Sequence, residues 1–262
     1  MSLRWAIADA WVITRRDLTH WVMQPSRIVW AVLFPILFIL LFGYVFGSGM
    51  TPPEGGDYVE FLIPGLFATT LAFGIAETVT AVTVDKDKGV MDRFRSMPMA
   101  PSAIVVGRSL ADMVNSVLGL VVMVLCGLAV GWSWHDGLGD ALAAVALLLW
   151  LRFALQWVGI YLGLLIRTPE GVAAMQGLLF PFSMLSSTFV APELMPGWLG
   201  TVAEWNPLSS TVTAARERFG NPGWPAESWV AEHAVALAAL WPLAILAVFL
   251  PLSVRRYQRL SR

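Results

Sequence analysis

Three histidines, one cysteine and a few ionisable residues inside apolar runs are the residues of this chain with chemistry to offer. His20, His135 and His233 stand apart, without the i, i+4 spacing that puts two imidazoles on one helical face for a metal ion. The lone Cys126 lies in an apolar run, which excludes a disulfide framework and a thiolate metal site, and it reads as a small buried hydrophobe. Gly47-Ser48-Gly49 reads as a turn, because a serine nucleophile needs a strand-to-helix elbow and a histidine in reach. No glycine-rich phosphate loop occurs and the dipeptide Gly-Lys is absent, so a nucleotide, if one is used, is held by another polypeptide. No catalytic, metal-binding or cofactor-binding residue is therefore expected here. What remains is a set of polar residues where a bilayer makes them costly: Glu77, Asp112, Asn115 and Arg152.

Such residues either line a translocation path and its inner gate or hydrogen-bond neighbouring helices together, and the sequence leaves both readings open. The elements that must position them follow from composition. With 57% hydrophobic and 13% charged residues and a mean hydropathy of +0.69, the chain lies far from soluble proteins, in which about a quarter of residues are charged. It is an integral membrane protein of the all-α class. A net charge of −1 lacks the basic face that a nucleic-acid partner needs.

A spanning helix takes about 20 mostly apolar residues, which predicts six spans over 28–47, 59–84, 104–131, 141–166, 172–190 and 234–254. Glu77 then sits about seven residues, or about 10 Å, from the end of the second span at about 1.5 Å per residue. Asn115 matches that depth in the third span, whereas Arg152 lies near the middle of the fourth. Fourteen of the 17 Lys and Arg fall on one side: Arg4, Arg15, Arg16, Arg27, Lys86, Lys88, Arg93, Arg95, Arg108, Arg167, Arg255, Arg256, Arg259 and Arg262. Arg216 and Arg218 lie on the other side and Arg152 within a span, so both termini are expected in the cytoplasm.

Residues 1–24 place Leu3, Ile7, Trp11, Leu18 and Trp21 at helical spacing, as in an amphipathic helix at the membrane interface or packed on a partner protein. The segment 191–233 is too charged to span, yet carries Trp198, Trp205, Trp224 and Trp229 and two short helical patterns near 197–205 and 207–219. It is expected on the outer side, partly re-entrant, with its backbone shielded by protein. No internal repeat is evident, and 1–262 is taken as one membrane domain.

The loop between the second and third spans is the most specific feature. Asp85-Lys86-Asp87-Lys88 ends the second span in water, and Gly89 permits a sharp break. Val90, Met91, Phe94 and Met97 then form an apolar stripe facing Asp92, Arg93, Arg95 and Ser96, before Pro98 and Pro101 turn the chain back towards the membrane. A short amphipathic helix closed at both ends is a knob for another protein's groove.

This run, through Arg93-Phe94-Arg95-Ser96-Met97-Pro98-Met99-Ala100-Pro101 and on to Gly107-Arg108, resembles the first cytoplasmic loop of ABC-2 type permeases, the membrane subunits of ABC exporters. It is most similar to the daunorubicin-resistance type of actinobacteria, and Asn206-Pro207 is similar to the Asn-Pro that follows the family's re-entrant helices. The resemblance implies an exporter of an amphiphilic drug, antibiotic or lipid in a bacterial inner membrane. It implies two ATP-binding partner subunits that carry ATP and Mg, docked on a coupling loop over 85–103. Asp85, Gly89, Val90, Met91, Arg93, Phe94, Arg95, Met97, Pro98 and Pro101 would form that contact, with Asp85 and Arg108 passing its motion to the flanking spans. It also implies a second permease copy, an identical one favoured, meeting the first across the first and fifth spans. Phe34, Phe38, Phe42, Met175, Phe180 and Met184 lie there and, with Glu77, Asn115 and Arg152, are the candidates for a substrate path. A polysaccharide or glycolipid exporter of the same family, and a proton-coupled secondary transporter using Glu77 and Arg152, are the competing expectations.

Overall fold

The computed structural model describes residues 57–88, 101–166, 168–225 and 228–260, with the stretch 36–41 and positions 19, 23, 29 and 33. No strand occurs among the described residues. Among the described residues, four helices are long and apolar enough to cross a membrane. They are α1 (Tyr58–Asp87), most of α2 (Pro101–Val130), α3 (Gly137–Leu165) and most of α8 (Ala234–Leu260). These cover the second, third, fourth and sixth predicted spans. The first predicted span and the N-terminal helix lie largely outside the described residues, among which 36–40 are helical.

The fifth predicted span needs correction. Helix α4 (Pro169–Met184) is 16 residues long, and residues 185–190 turn away rather than completing 172–190 as a span. The run is apolar enough to mislead, but its hydroxyls compete for the backbone. Ser183 Oγ donates to Phe180 O at 2.8 Å, and Ser186 Oγ to Ser183 O at 2.6 Å. Asn206 Nδ2 donates to Leu185 O at 2.6 Å, holding the turned chain from outside.

The 30-residue α1 reaches about 45 Å at about 1.5 Å per residue, longer than a bilayer core of about 30 Å. Asp57 caps it by accepting from Val59 N at 3.0 Å. Helix α3 is the centre of the bundle, packed between α1 and α8. The α1–α3 seam is close because α3 presents glycines one turn apart. A Cβ built on Gly163 would lie 2.7 Å from Val82 Cβ, and one on Gly159 3.0 Å from Thr78 Cβ.

The aromatic segment after α4 folds into a 3-10 turn (Pro192–Leu194), α5 (Gly197–Glu204), α6 (Pro207–Phe219) and the one-turn α7 (Trp229–Glu232). Helices α5 and α6 occupy the two short stretches expected from the pattern. Asn206 caps α6 by accepting from Leu208 N at 2.9 Å, Pro207 opens it, and Gly220 at φ 67° ends it in the left-handed conformation. Leu208, Val212, Ala214, Ala215 and Phe219 are buried against α1, α3 and α8. This supplies the protein shield that a non-spanning helix among spans requires.

Candidate coupling site and buried arginine centres

Of the expected docking residues, Gly89, Val90, Met91, Arg93, Phe94, Arg95, Met97 and Pro98 lie outside the described residues. The structure does show how the two ends of that loop are mounted. Pro101 opens α2 as its first residue, where a missing N–H costs nothing. Asp85, near the end of α1, forms an ion pair with Arg108 in the second turn of α2. Lys86 Nζ donates to Ile166 O at the end of α3. The chain is thereby closed at the base of the loop, and α1, α2 and α3 are tied together at one end of the bundle.

From that base a polar stripe runs along α2 at helical spacing. Arg108, Ser109, Asp112 and Ser116 each meet a partner on α1 or α3: Asp85, Gln156, Thr78 and Arg152 respectively. Thr78 Oγ1 lies 2.9 Å from Asp112 Oδ2, and Arg152 Nε donates to Ser116 Oγ at 2.8 Å. Arg152 is 3% exposed, and its Nη2 donates to Thr78 Oγ1 at 3.2 Å. Asp112 and Glu77 are the carboxylates whose charge acts on it. A cation in so dry a seam is held by its partners.

The sequence-predicted path residues are only partly brought together. Arg152 is at the centre of the stripe, but Ser116 meets it in place of Asn115, which is half-buried beside it. Glu77 is exposed on α1. Met175 packs with Ile75, Val79 and Val172, Phe180 is 52% exposed, and Met184 is half-buried at the end of α4. Phe38 packs at the edge of the main core. Phe34 and Phe42 lie outside the described residues. Among the described residues, the aromatic and charged candidates do not share a lining.

Sequence reasoning does not single out Thr78, Ser109, Ser116 and Gln156, although the spacing of 109, 112 and 116, and of 152 and 156, places each set on one helix face. A second arginine escapes it as well. Arg216 reads from the sequence as an outer-loop charge, yet it is 1% exposed. Its three nitrogens donate to Phe61 O at 2.9 Å, Ser187 O at 2.9 Å and Thr188 O at 2.8 Å. The guanidinium carbon lies 3.9 Å from the centre of the Phe61 ring. Burial pulls its pKa down to about 9, which leaves it protonated at neutral pH. Arg216 thus satisfies the carbonyls that the turn after α4 leaves free, a role that local sequence does not announce.

Residues 8–219 match the family model described as ABC-2 type transporter. The daunorubicin resistance ABC transporter permease protein of Streptomyces coeruleorubidus is 32% identical over 236 residues, covering 89% of this chain and 80% of the relative. The doxorubicin resistance ABC transporter permease protein of Mycobacterium tuberculosis is 26% identical over 160 residues, 57% of this chain and 55% of the relative. Set beside four apolar spanning helices, these matches make the chain a multi-pass membrane protein, and it belongs to the ABC-2 type transporter family.

Proposed function

We propose that this chain is the membrane subunit of an ATP-driven exporter that carries an amphiphilic drug, antibiotic or lipid across the bacterial inner membrane, with both termini in the cytoplasm. The names of its relatives support the cargo class. The observation that carries the coupling mechanism is the Asp85–Arg108 ion pair. It closes the base of the loop so that a push on residues 89–100 reaches α1 and α2 as one unit. ATP-binding subunits, two per transporter and carrying ATP and Mg, would seat the apolar stripe Val90, Met91, Phe94 and Met97. A second permease copy would complete the pore against α4, whose Leu178, Phe180 and Phe182 are exposed in the single chain.

The test is co-purification with the ATP-binding subunit, joined to ATP-dependent transport in proteoliposomes. Alanine at Met91, Phe94 and Met97 together is expected to abolish both while membrane insertion is unchanged. An ATP-binding subunit that stays bound to this triple variant overturns the docking assignment. Uptake driven by a proton gradient without ATP overturns the ATP-driven reading.

A further inference from the structure

The last turns of α8 carry Arg255, Arg256 and Arg259. None of them forms an ion pair among the described residues, whereas Lys86 and Arg108, at the same end of the bundle, are engaged by Ile166 O and Asp85. Helix α8 has no acidic residue, and α3, against which its second half packs, has none between Ala141 and Leu165. The inward side of this half is fixed by two contacts. Ser253 Oγ donates to Trp157 O at 3.2 Å, and the buried Tyr257 packs with Val82, Ile160 and Leu164. The opposite face runs through Ala244, Val248, Arg255 and Arg259, all exposed and all on one side of the helix by their spacing. From Ala234 to Arg255 the helix rises about 31 Å at about 1.5 Å per residue, so a bilayer core of about 30 Å ends where the arginines begin.

We infer that this face of α8 binds an anionic phospholipid, with the phosphate on Arg255 and Arg259 and an acyl chain along Val248 and Ala244. Charge complementarity carries the assignment. Uncompensated guanidinium groups at headgroup depth attract an anionic lipid surface, and their parallel N–H groups match phosphate oxygens. Phosphatidylcholine offers the same phosphate but brings a quaternary ammonium beside the arginines, which cancels the attraction. The apolar run on the same face makes the occupant a lipid and not a free phosphate, since an anion without chains gains nothing from Val248, 52% exposed. The inference needs only that α8 crosses a bilayer, and it holds whatever the cargo and whichever compartment this end faces.

The experiment uses the full chain in detergent micelles at neutral pH, titrated with phosphatidylglycerol and phosphatidylcholine, with bound lipids counted by native mass spectrometry. Phosphatidylglycerol is expected to be retained at least about tenfold over phosphatidylcholine. R255Q/R259Q, changed at two exposed positions, should lose about fivefold in phosphatidylglycerol affinity for each arginine removed, with an unchanged melting temperature in the absence of added lipid. Arg218→Gln removes a positive charge at the other end of the bundle, where Arg218 pairs with Asp140, and should leave the preference as it is. Equal retention of the two lipids by the parent, or a double variant that binds phosphatidylglycerol like the parent, overturns the site. So does an equal loss in Arg218→Gln, because the preference would then follow net charge and not this face. Displacement of phosphatidylglycerol by glycerol 3-phosphate at matched concentration would make the ligand a free phosphate and overturn the lipid assignment. A double variant that keeps phosphatidylglycerol but no longer co-purifies with an ATP-binding subunit would show that the face serves that protein instead.

Discussion

At the scale of single residues the fold depends on two arginines used in different ways. Arg216 makes three charge-assisted bonds to main-chain carbonyls from two separate segments, a use of the planar guanidinium fork that an ammonium cannot copy. Arg216→Lys keeps the charge but reaches fewer of the three, so the variant is expected to lose about 2–3 kcal/mol. Thermal unfolding in detergent measures the loss, and faster proteolysis within 185–190 locates it. Arg152 instead bonds side chains, Ser116 and Thr78, with Asp112 alongside. Arg152→Met leaves Asp112 without its cation and is expected to cost about 2 kcal/mol. Adding Asp112→Asn should recover part of that cost if the two act as one unit, whereas strictly additive melting-temperature losses would show that they do not. The charge of Arg152 was legible in the sequence as an intramembrane oddity. The role of Arg216 was not, because its partners are backbone groups up to 155 positions away, and a carbonyl carries no residue-type signal.

At the scale of elements, apolar periodicity located α1, α2, α3 and α8 because a bilayer requires long uncharged windows. It failed at α4, where Pro181 and the Ser186-Ser187-Thr188 run offer the backbone other partners than the next helical turn. The seam between α1 and α3 gives a sharp test of packing. A side chain at Gly163 must push against Val82, whose Cβ and Cγ1 would lie 2.7 and 2.9 Å away. Gly163→Val is expected to destabilise by about 1–3 kcal/mol through overpacking. A Cβ added at Gly119 on α2 would meet nothing within 4 Å, and Gly119→Ala should gain up to about 1 kcal/mol from helix propensity. Melting temperatures moving in opposite directions for the two variants would bear out the close α1–α3 approach, and equal shifts would count against it.

At the scale of the whole molecule, α1, α2 and α3 are tied together at the end of the bundle where the proposed coupling loop is mounted. Helix α2 meets α1 and α3 through its polar stripe in its first half and through Leu120, Met123 and the neighbourhood of Trp132 in its second. Its remaining face, including Leu118, Val121 and Leu125, is exposed. The Asp85–Arg108 pair is the first rung, and its side chains are 25% and 17% exposed. With both side chains three-quarters or more covered, breaking the pair costs more than the about 1 kcal/mol of an exposed one, so restoring the attraction, rather than removing it, separates transmission from folding. Asp85→Arg is expected to lower the melting temperature and, with the ATP-binding subunit still bound, to lower ATP-dependent transport about fivefold or more, the scale of a typical coupling free energy. The swap Asp85→Arg with Arg108→Asp restores opposite charges at the same two positions and should recover a substantial part of the rate. If the single reversal transports normally, the loop drives the bundle by another route. If the swap is as inactive as the single reversal, the two positions matter for something other than their attraction.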